Sequence, residues 1–507
     1  MKHRFPAARV AAVGAIAALA LTACTPAPAG EEESVLRLGL VQPLATFAPW
    51  DASWANQSPY LQAVYDTILR AEPDGTVVPG LATEWEWDES ATVLTLTLRD
   101  DVEFSDGTPL TAAVAAEQVL RFKAGTSEGA ATFFGVADAT AADDQTLVIT
   151  LSEPDPAFLS NLTKAGGLVG AEAMWDADDA ATTPIGSGPY ELDVDETVVG
   201  STYVFTAKDD YWDPEAVNYD EIVMSVYGDP TALMNAIKGG QVDASASQFA
   251  GQIPEAEAAG FTANIAEGNW TGLLLVDRQG QLNPAMGDVR VRQAINYALD
   301  REGLVQGLAG GYGTATTQTF SPASSAFDPE LDEFYSYDPD KARALLAEAG
   351  YPDGFTLVMP SNNFVPESEF ALYKDQLGAV GIDVQWETTG DDLFPRLMSG
   401  SWAAFPFLLQ ADPSPWMALQ ASMLPWSPWN PFKVADPQVL GYMEQLRTAD
   451  EEQTATIGKE LNAYIVEQAW FAPVLRPQSA FFTSADVEVD LQVDNAVPYL
   501  SSIRPAS

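Results

Sequence analysis

Residues 288–301 read DVRVRQAINYALDR, and residues 337–354 read YDPDKARALLAEAGYPDG. Each stretch announces a helix. Asp288 can accept from the first free backbone amides, and Val291, Ile295 and Leu299 then share one face. Asp338 precedes Pro339 at the first helical position, and Gly350 supplies the stop. Elsewhere the period changes from helical to alternating. Over residues 92–98, Leu94, Leu96 and Leu98 occupy one face and Thr95 and Thr97 the other. Residues 35–40, 147–151, 202–207, 222–226, 273–276 and 382–387 read as further strands. Residues 60–70, 230–238 and 370–379 read as helices, and Thr111 caps another that presents Ala112, Ala115, Val119 and Phe122 together. Residues 402–432, dense in Trp and Pro, read as loop-rich, and about 437–468 as one long helical stretch. Helices and strands alternate without a strict βαβ repeat, which predicts an α/β protein with mixed sheets.

The chain has 507 residues, 47% hydrophobic and 19% charged, enough for two or three packed domains. It carries 24 Lys and Arg against 72 Asp and Glu, a net charge of −48. That balance argues against nucleic acid, which needs a positive face, and predicts a strongly hydrated surface. The single His is His3 and the single Cys is Cys24. Beyond residue 24 there is no imidazole and no thiol. Ser-His-Asp and Cys-His catalysis, Cys/His zinc sites and His- or Cys-ligated haem are thereby excluded, and so is an internal disulfide. The acid pairs, such as Asp143-Asp144 and Asp391-Asp392, match no calcium-loop spacing. Neither a metal nor a cofactor is expected.

Lys2, Arg4 and Arg9 precede an apolar run, VAAVGAIAALALTA, over residues 10–23. The run is shorter than the roughly 20 residues a membrane span needs and fits a secretory leader. It ends in Leu21-Thr22-Ala23-Cys24, which resembles a lipobox. The resemblance implies a signal peptide over 1–23, lipidation at Cys24 and a flexible tether through residue 33, whose TPAPAGEEE is rich in Pro, Ala and Glu.

Five blocks in order carry a wider resemblance. Pro79–Glu86 (PGLATEWE) leads into Arg99–Phe104 (RDDVEF) and Asp106–Thr111 (DGTPLT). Gly186-Ser187-Gly188-Pro189-Tyr190 precedes Tyr211-Trp212 and Asp220-Glu221-Ile222. The 288–301 and 337–354 stretches follow, then Ala472-Pro473-Val474. Together they resemble the oligopeptide/dipeptide/nickel-binding family, family 5, of extracellular solute receptors of ABC transporters. That resemblance implies a two-lobed periplasmic-binding-protein-like clamp of class II with an additional inserted domain. One lobe would be discontinuous (34–60, 184–267 and 477–507), the insert would cover 61–183, and the second lobe 268–476, with hinge crossings near 268 and 476. It implies a monomer that captures a peptide or similar small solute, partners the transmembrane subunits of an ABC permease, and is moored to the membrane by its lipid. It would not be an enzyme.

The motifs themselves read as structural: Asp106-Gly107 as a tight turn, Gly186 and Gly188 as places for unusual backbone angles, and Arg290 and Arg292 as partners of buried carbonyls or carboxylates. For the ligand site, the resemblance points to Asp412 as the acid that grips a peptide ammonium. Trp50, Trp54, Trp270, Trp402, Trp416, Trp426 and Trp429 are candidate walls, each weighed against ordinary core packing. An oligosaccharide receptor of the same fold is the alternative, because Trp faces stack on sugars. A secreted glycosidase using paired carboxylates is a more distant one, since no motif singles out a pair.

Overall fold

Val35–Leu40 begins the described part of the chain and lies inside its largest sheet. The computed structural model describes residues 34–247, 250–361, 367–390, 392–493, 495 and 497–506. The leader, Cys24, the tether and Asp391 lie outside the described residues. In the seven-stranded sheet, Val35–Leu40 runs parallel to Glu221–Val226 on one side and to Ala244–Ser247 on the other. Thr202–Ala207 and Tyr190–Leu192 extend one flank, and Ser479–Thr483 and Thr262–Ala266 the other, through antiparallel pairs. Parallel neighbours need a long connection. Here that connection holds a further body.

That body is an antiparallel sheet ordered Ala82–Trp87, Val93–Leu98, Thr146–Leu151, Val136–Ala141. Leu94, Leu96 and Leu98 are buried as their alternation requires. The helix Ala112–Ala124 packs over them, and the Thr111 side chain accepts from the Val114 amide at its start. The insert and the large sheet share one continuous apolar core.

The rest of the chain forms a second unit. Its four-stranded antiparallel sheet is ordered Gly313–Ala315, Phe471–Pro477, Asn269–Leu274, Phe405–Gln410. Phe355–Ser361 and Ile382–Thr388 form a parallel pair spanned by the helix Glu367–Gly378. The helix Val289–Ala298 is capped by Asp288, and Pro339–Glu348 by Asp338. Val291 and Ile295 are fully buried against Leu346 and Leu357. Two buried arginines fasten this unit through carbonyl oxygens. Arg292 donates to the carbonyls of Met286, Gln468 and Ala469, and Arg301 to those of Asn296, Thr316, Tyr335 and Pro473. A guanidinium stays charged and brings five donors, so a ring of carbonyls satisfies it without an acid. Arg290 instead pairs with Asp288.

Four expectations need correction. The stretch 437–468 is two helices, Pro437–Leu446 and Glu451–Glu467, because Asp450 and Gln453 form a capping box that restarts the chain. Residues 402–432 hold the strand Phe405–Gln410 and the helix Pro415–Ser422, whose Pro415 stands where a proline starts a helix rather than breaking it. The helix expected over 60–70 stops at Val64, and Leu69–Ala71 is a strand. Gly186 and Gly188 are required by crowding: a Cβ would meet Val64 O at 2.0 Å and the Tyr65 amide nitrogen at 2.5 Å respectively.

Candidate functional site

The backbone leaves the seven-stranded sheet after Ala266 and enters the four-stranded sheet at Asn269. It returns between Pro477 and Ser479. Glu267-Gly268 and Gln478 are therefore all the chain that separates a strand of one unit from a strand of the other. These three residues line a cleft of about 660 Å³, within the roughly 300–1,000 Å³ usual for small-molecule sites. Ser247, Phe481 and Gln492 contribute to it from the large-sheet unit, Ser127, Asn161 and Lys164 from the insert, and Asn269, Ser321, Leu408 and Gln410 from the second unit. Strand alternation explains part of the wall: Leu408 and Gln410 face it, while Phe407 turns away to pack on Trp429.

Arg476 is 2% exposed and braces the crossings. Its two terminal nitrogens each bond an Asp332 carboxylate oxygen at 2.8 Å, and its Nε reaches Glu267 at 3.3 Å. Thr314 Oγ1 also donates to Glu267, at 2.7 Å. Burial pushes the Asp332 carboxyl up, but its bonds from Arg476, Thr316 and Gln318 outweigh burial and hold it below the ordinary carboxylate range.

A second contact joins the units where no backbone crosses. Trp416 Nε1 donates to Asp155 Oδ1 at 2.9 Å, linking the second unit to the insert. Arg447 pairs with Glu153 at 3.0 Å and lies 5.6 Å from the Trp416 ring centroid. Burial pushes the Asp155 carboxyl up, and its bonds from the Ala157 amide and Trp416 only partly offset that.

Of the expected wall residues, Trp54 lines the cleft. The others stand elsewhere. Trp270 is buried edge-on to Phe471, with ring centroids 5.5 Å apart. Trp402 is buried, donates to Glu387 at 3.1 Å and lies under the Arg396 guanidinium. Trp416 is buried in the contact just described. Trp429 packs on Phe407, and Trp50 is half-buried beside Arg121. Trp426 is 58% exposed and donates to Gln420. Asp412 is half-buried in the turn between Gln410 and the helix Pro415–Ser422, and it is not among the residues that line the cleft. The amide and hydroxyl side chains that do line it escaped sequence reasoning, because isolated Ser, Asn and Gln in irregular segments carry no pattern. Among the described residues no group of three His, Cys, Asp or Glu could hold a metal, and no helix is long and apolar enough to cross a membrane.

Comparison with known proteins agrees with this architecture. The family model described as "Bacterial extracellular solute-binding proteins, family 5 Middle" matches residues 76–431. The glutathione-binding protein GsiB of Escherichia coli O1:K1 / APEC is 28% identical over 353 residues, which cover 67% of this chain and 66% of that protein. The match thus spans just under two thirds of that curated relative. HbpA2 from Haemophilus parasuis superposes with a TM-score of 0.83 at 21% identity, covering 93% of this chain and 100% of that one. The periplasmic binding protein DppA from Helicobacter pylori, in complex with peptide STSA, superposes with a TM-score of 0.73 at 20% identity, covering 94% and 99%. At these identities the two structures speak for the fold.

Proposed function

The chain belongs to the bacterial extracellular solute-binding proteins of family 5, and from that premise we propose that it captures a peptide or similar small solute outside the cytoplasm and delivers it to an ABC importer by closing its two lobes. The observation that carries this reading is the cleft set on two crossings of two residues and one residue. A solute that touches both walls makes all its contacts only when they are together, so it stabilises the shut form, and the importer can read that form. We take one lobe as 34–60 with 184–267 and 477–507, the insert as 61–183 and the second lobe as 268–476. The chain acts as a monomeric receptor and not as an enzyme.

We propose further that residues 1–23 are removed as a signal peptide and that Cys24 carries the lipid that holds the protein at the membrane. The support is the sole cysteine placed directly after an apolar run. Mass spectrometry of the membrane-extracted protein is expected to find a diacylglycerol adduct on Cys24 that Cys24→Ser abolishes. An unmodified Cys24 in membrane-extracted protein contradicts the anchor.

The receptor reading is tested by a thermal-shift screen against peptide and oligosaccharide libraries. A solute at about 100 times its Kd stabilises the native state by about 2.7 kcal/mol. A concentration-dependent rise in Tm with at least one solute is expected, and a flat response across both libraries contradicts the reading.

A further inference from the structure

We propose that residues 153–157 of the insert, with Trp416 and Arg447 of the second lobe, form a latch that lets the clamp shut before solute arrives; this rests on the receptor reading and adds to it a closing contact that needs no solute. Asp155 Oδ1 accepts from Trp416 Nε1 at 2.9 Å and from the Ala157 amide at 3.0 Å. Arg447 reaches Glu153 at 3.0 Å and the Pro154 carbonyl at 3.4 Å. Ala157 is buried in the apolar cluster that holds Trp416, Leu419 and Tyr442, and among the described residues every other buried member of that cluster belongs to the second lobe. Its neighbour Phe158 is buried in the core of the insert. One step of chain therefore plugs into two cores on opposite sides of the contact. All of these bonds run from protein to protein, so none of them waits for a solute.

The segment is built to present its acid. Pro154 and Pro156 flank Asp155; each ring fixes its own φ, and Pro156 disfavours helical backbone at Asp155. A stiff segment loses little freedom when it docks. The opposing Trp416 sits in the first turn of the helix Pro415–Ser422 and is 4% exposed. The same elements reach the cleft: Met417 lines it beside Trp416, and Asn161 and Lys164 line it just after Ala157. A solute held between those walls favours the same approach of the lobes as the latch does. Each hydrogen bond shifts an equilibrium by about fivefold, and two or three together are enough to populate the shut form without solute. The latch also answers to pH. Burial pushes the Asp155 carboxyl up; the bonds from the Ala157 amide and Trp416 offset this in part, Glu153 adds to the rise and Arg447 opposes it. Glu444, one turn before Arg447, lies 3.6 Å from that guanidinium. When the lobes part, the Asp155 carboxyl meets water and returns toward its ordinary value, so closing takes up protons. The latch therefore holds below the ordinary carboxylate value and weakens as pH rises through the raised one.

The test reads the lobe separation in whole protein freed of solute by unfolding and refolding, with the loss of solute checked by native mass spectrometry. Spin labels at Phe134→Cys and Trp426→Cys in a Cys24→Ser background give the distance. A shorter distance is expected beside the longer one before any solute is added, and its share should fall from mildly acidic to mildly alkaline buffer. Trp416→Phe is expected to lower the shut-to-open ratio about tenfold, the scale of a hydrogen bond to a charged group, and Asp155→Ala by as much. Asp155→Asn should keep a shut share and lose its pH dependence. Stopped-flow mixing with the solute found by the thermal screen adds a readout that a merely structural contact would not move. Trp416→Phe and Asp155→Ala should both take up solute faster, because fewer molecules are shut against entry, and should also release it faster. Protein that is open at every pH before solute is added, or a shut share that neither variant lowers, overturns the latch. Where solute still closes that open protein, the receptor reading stands without the latch. Failure of the thermal screen removes the receptor reading whatever the distances show.

Discussion

The two places where the lobes meet are built to opposite rules. At the crossings, Arg476 is 2% exposed and shared between Asp332 and Glu267, with Thr314, Thr316 and Gln318 filling the remaining lone pairs. Across the second contact, the acid that pairs with Arg447 is a Glu153 side chain left 64% exposed, and the other links are the indole bond to Asp155 and a 3.4 Å bond from Arg447 to the Pro154 carbonyl. Only the two bonds to Glu267 pass between the lobes there, but the one from Arg476 hangs on a guanidinium that the second lobe already holds through Asp332, so the crossing is tied to a fixed point. An ion pair with one exposed partner and two hydrogen bonds can part and reform at lower cost. The contrast suits a clamp whose crossings hold while its far contact releases.

The contrast can be broken by mutation. Arg476→Ala should have the largest effect, a stability loss of about 3–5 kcal/mol in urea unfolding, because two carboxylates lose their buried partner. Asp155→Ala should cost less, about 1–3 kcal/mol for the stranded indole donor and lost bond, and it should appear chiefly as a changed solute affinity. Equal stability losses in the two variants would erase the distinction between crossing and contact.

The pH dependence should separate the sites by sign. The Asp332 carboxyl is depressed in the fold, so its contribution is present above the ordinary carboxylate pKa and fades as pH falls through its folded value. Asp155 is raised, so its contribution is fully present below the ordinary value and is lost as pH rises through its folded one. Stability measured against pH should lose its acid limb in part in Arg476→Ala. Asp155→Asn should lose instead the decline that Asp155 causes as pH rises. Glu153→Gln should change stability by less than about 1 kcal/mol and only at low salt. Asp412→Asn should leave solute affinity unchanged, since Asp412 lies off the cleft; a clear loss would bring the turn after Gln410 back into the site.

How much was legible in the sequence differs by length scale. Asp288, Asp338 and Thr111 announced their helices because a cap acts within three residues. Leu94, Leu96 and Leu98 announced a strand because burial on one face imposes a period of two. Asp450 was missed as a restart, although Gln453 three residues on completes the box. The surroundings of the tryptophans were not legible, for a physical reason. Trp402 and Trp416 satisfy their N–H groups on Glu387 and Asp155, which lie 15 and 261 residues away in sequence, so nothing local marked them as packed rather than ligand-facing. Gln492 and the other amide side chains of the cleft were silent because residues brought together from far along the chain leave no local pattern.

The most direct measurement is a distance across the cleft. Phe134 on the insert and Trp426 on the second lobe are 75% and 58% exposed, and Cys24 is the sole cysteine. Spin labels at Phe134→Cys and Trp426→Cys in a Cys24→Ser background then report the separation of the lobes. The distribution is expected to shift to a single shorter distance when the solute found by the thermal screen saturates the protein. One unchanged distance with and without that solute would rule out closure of the lobes.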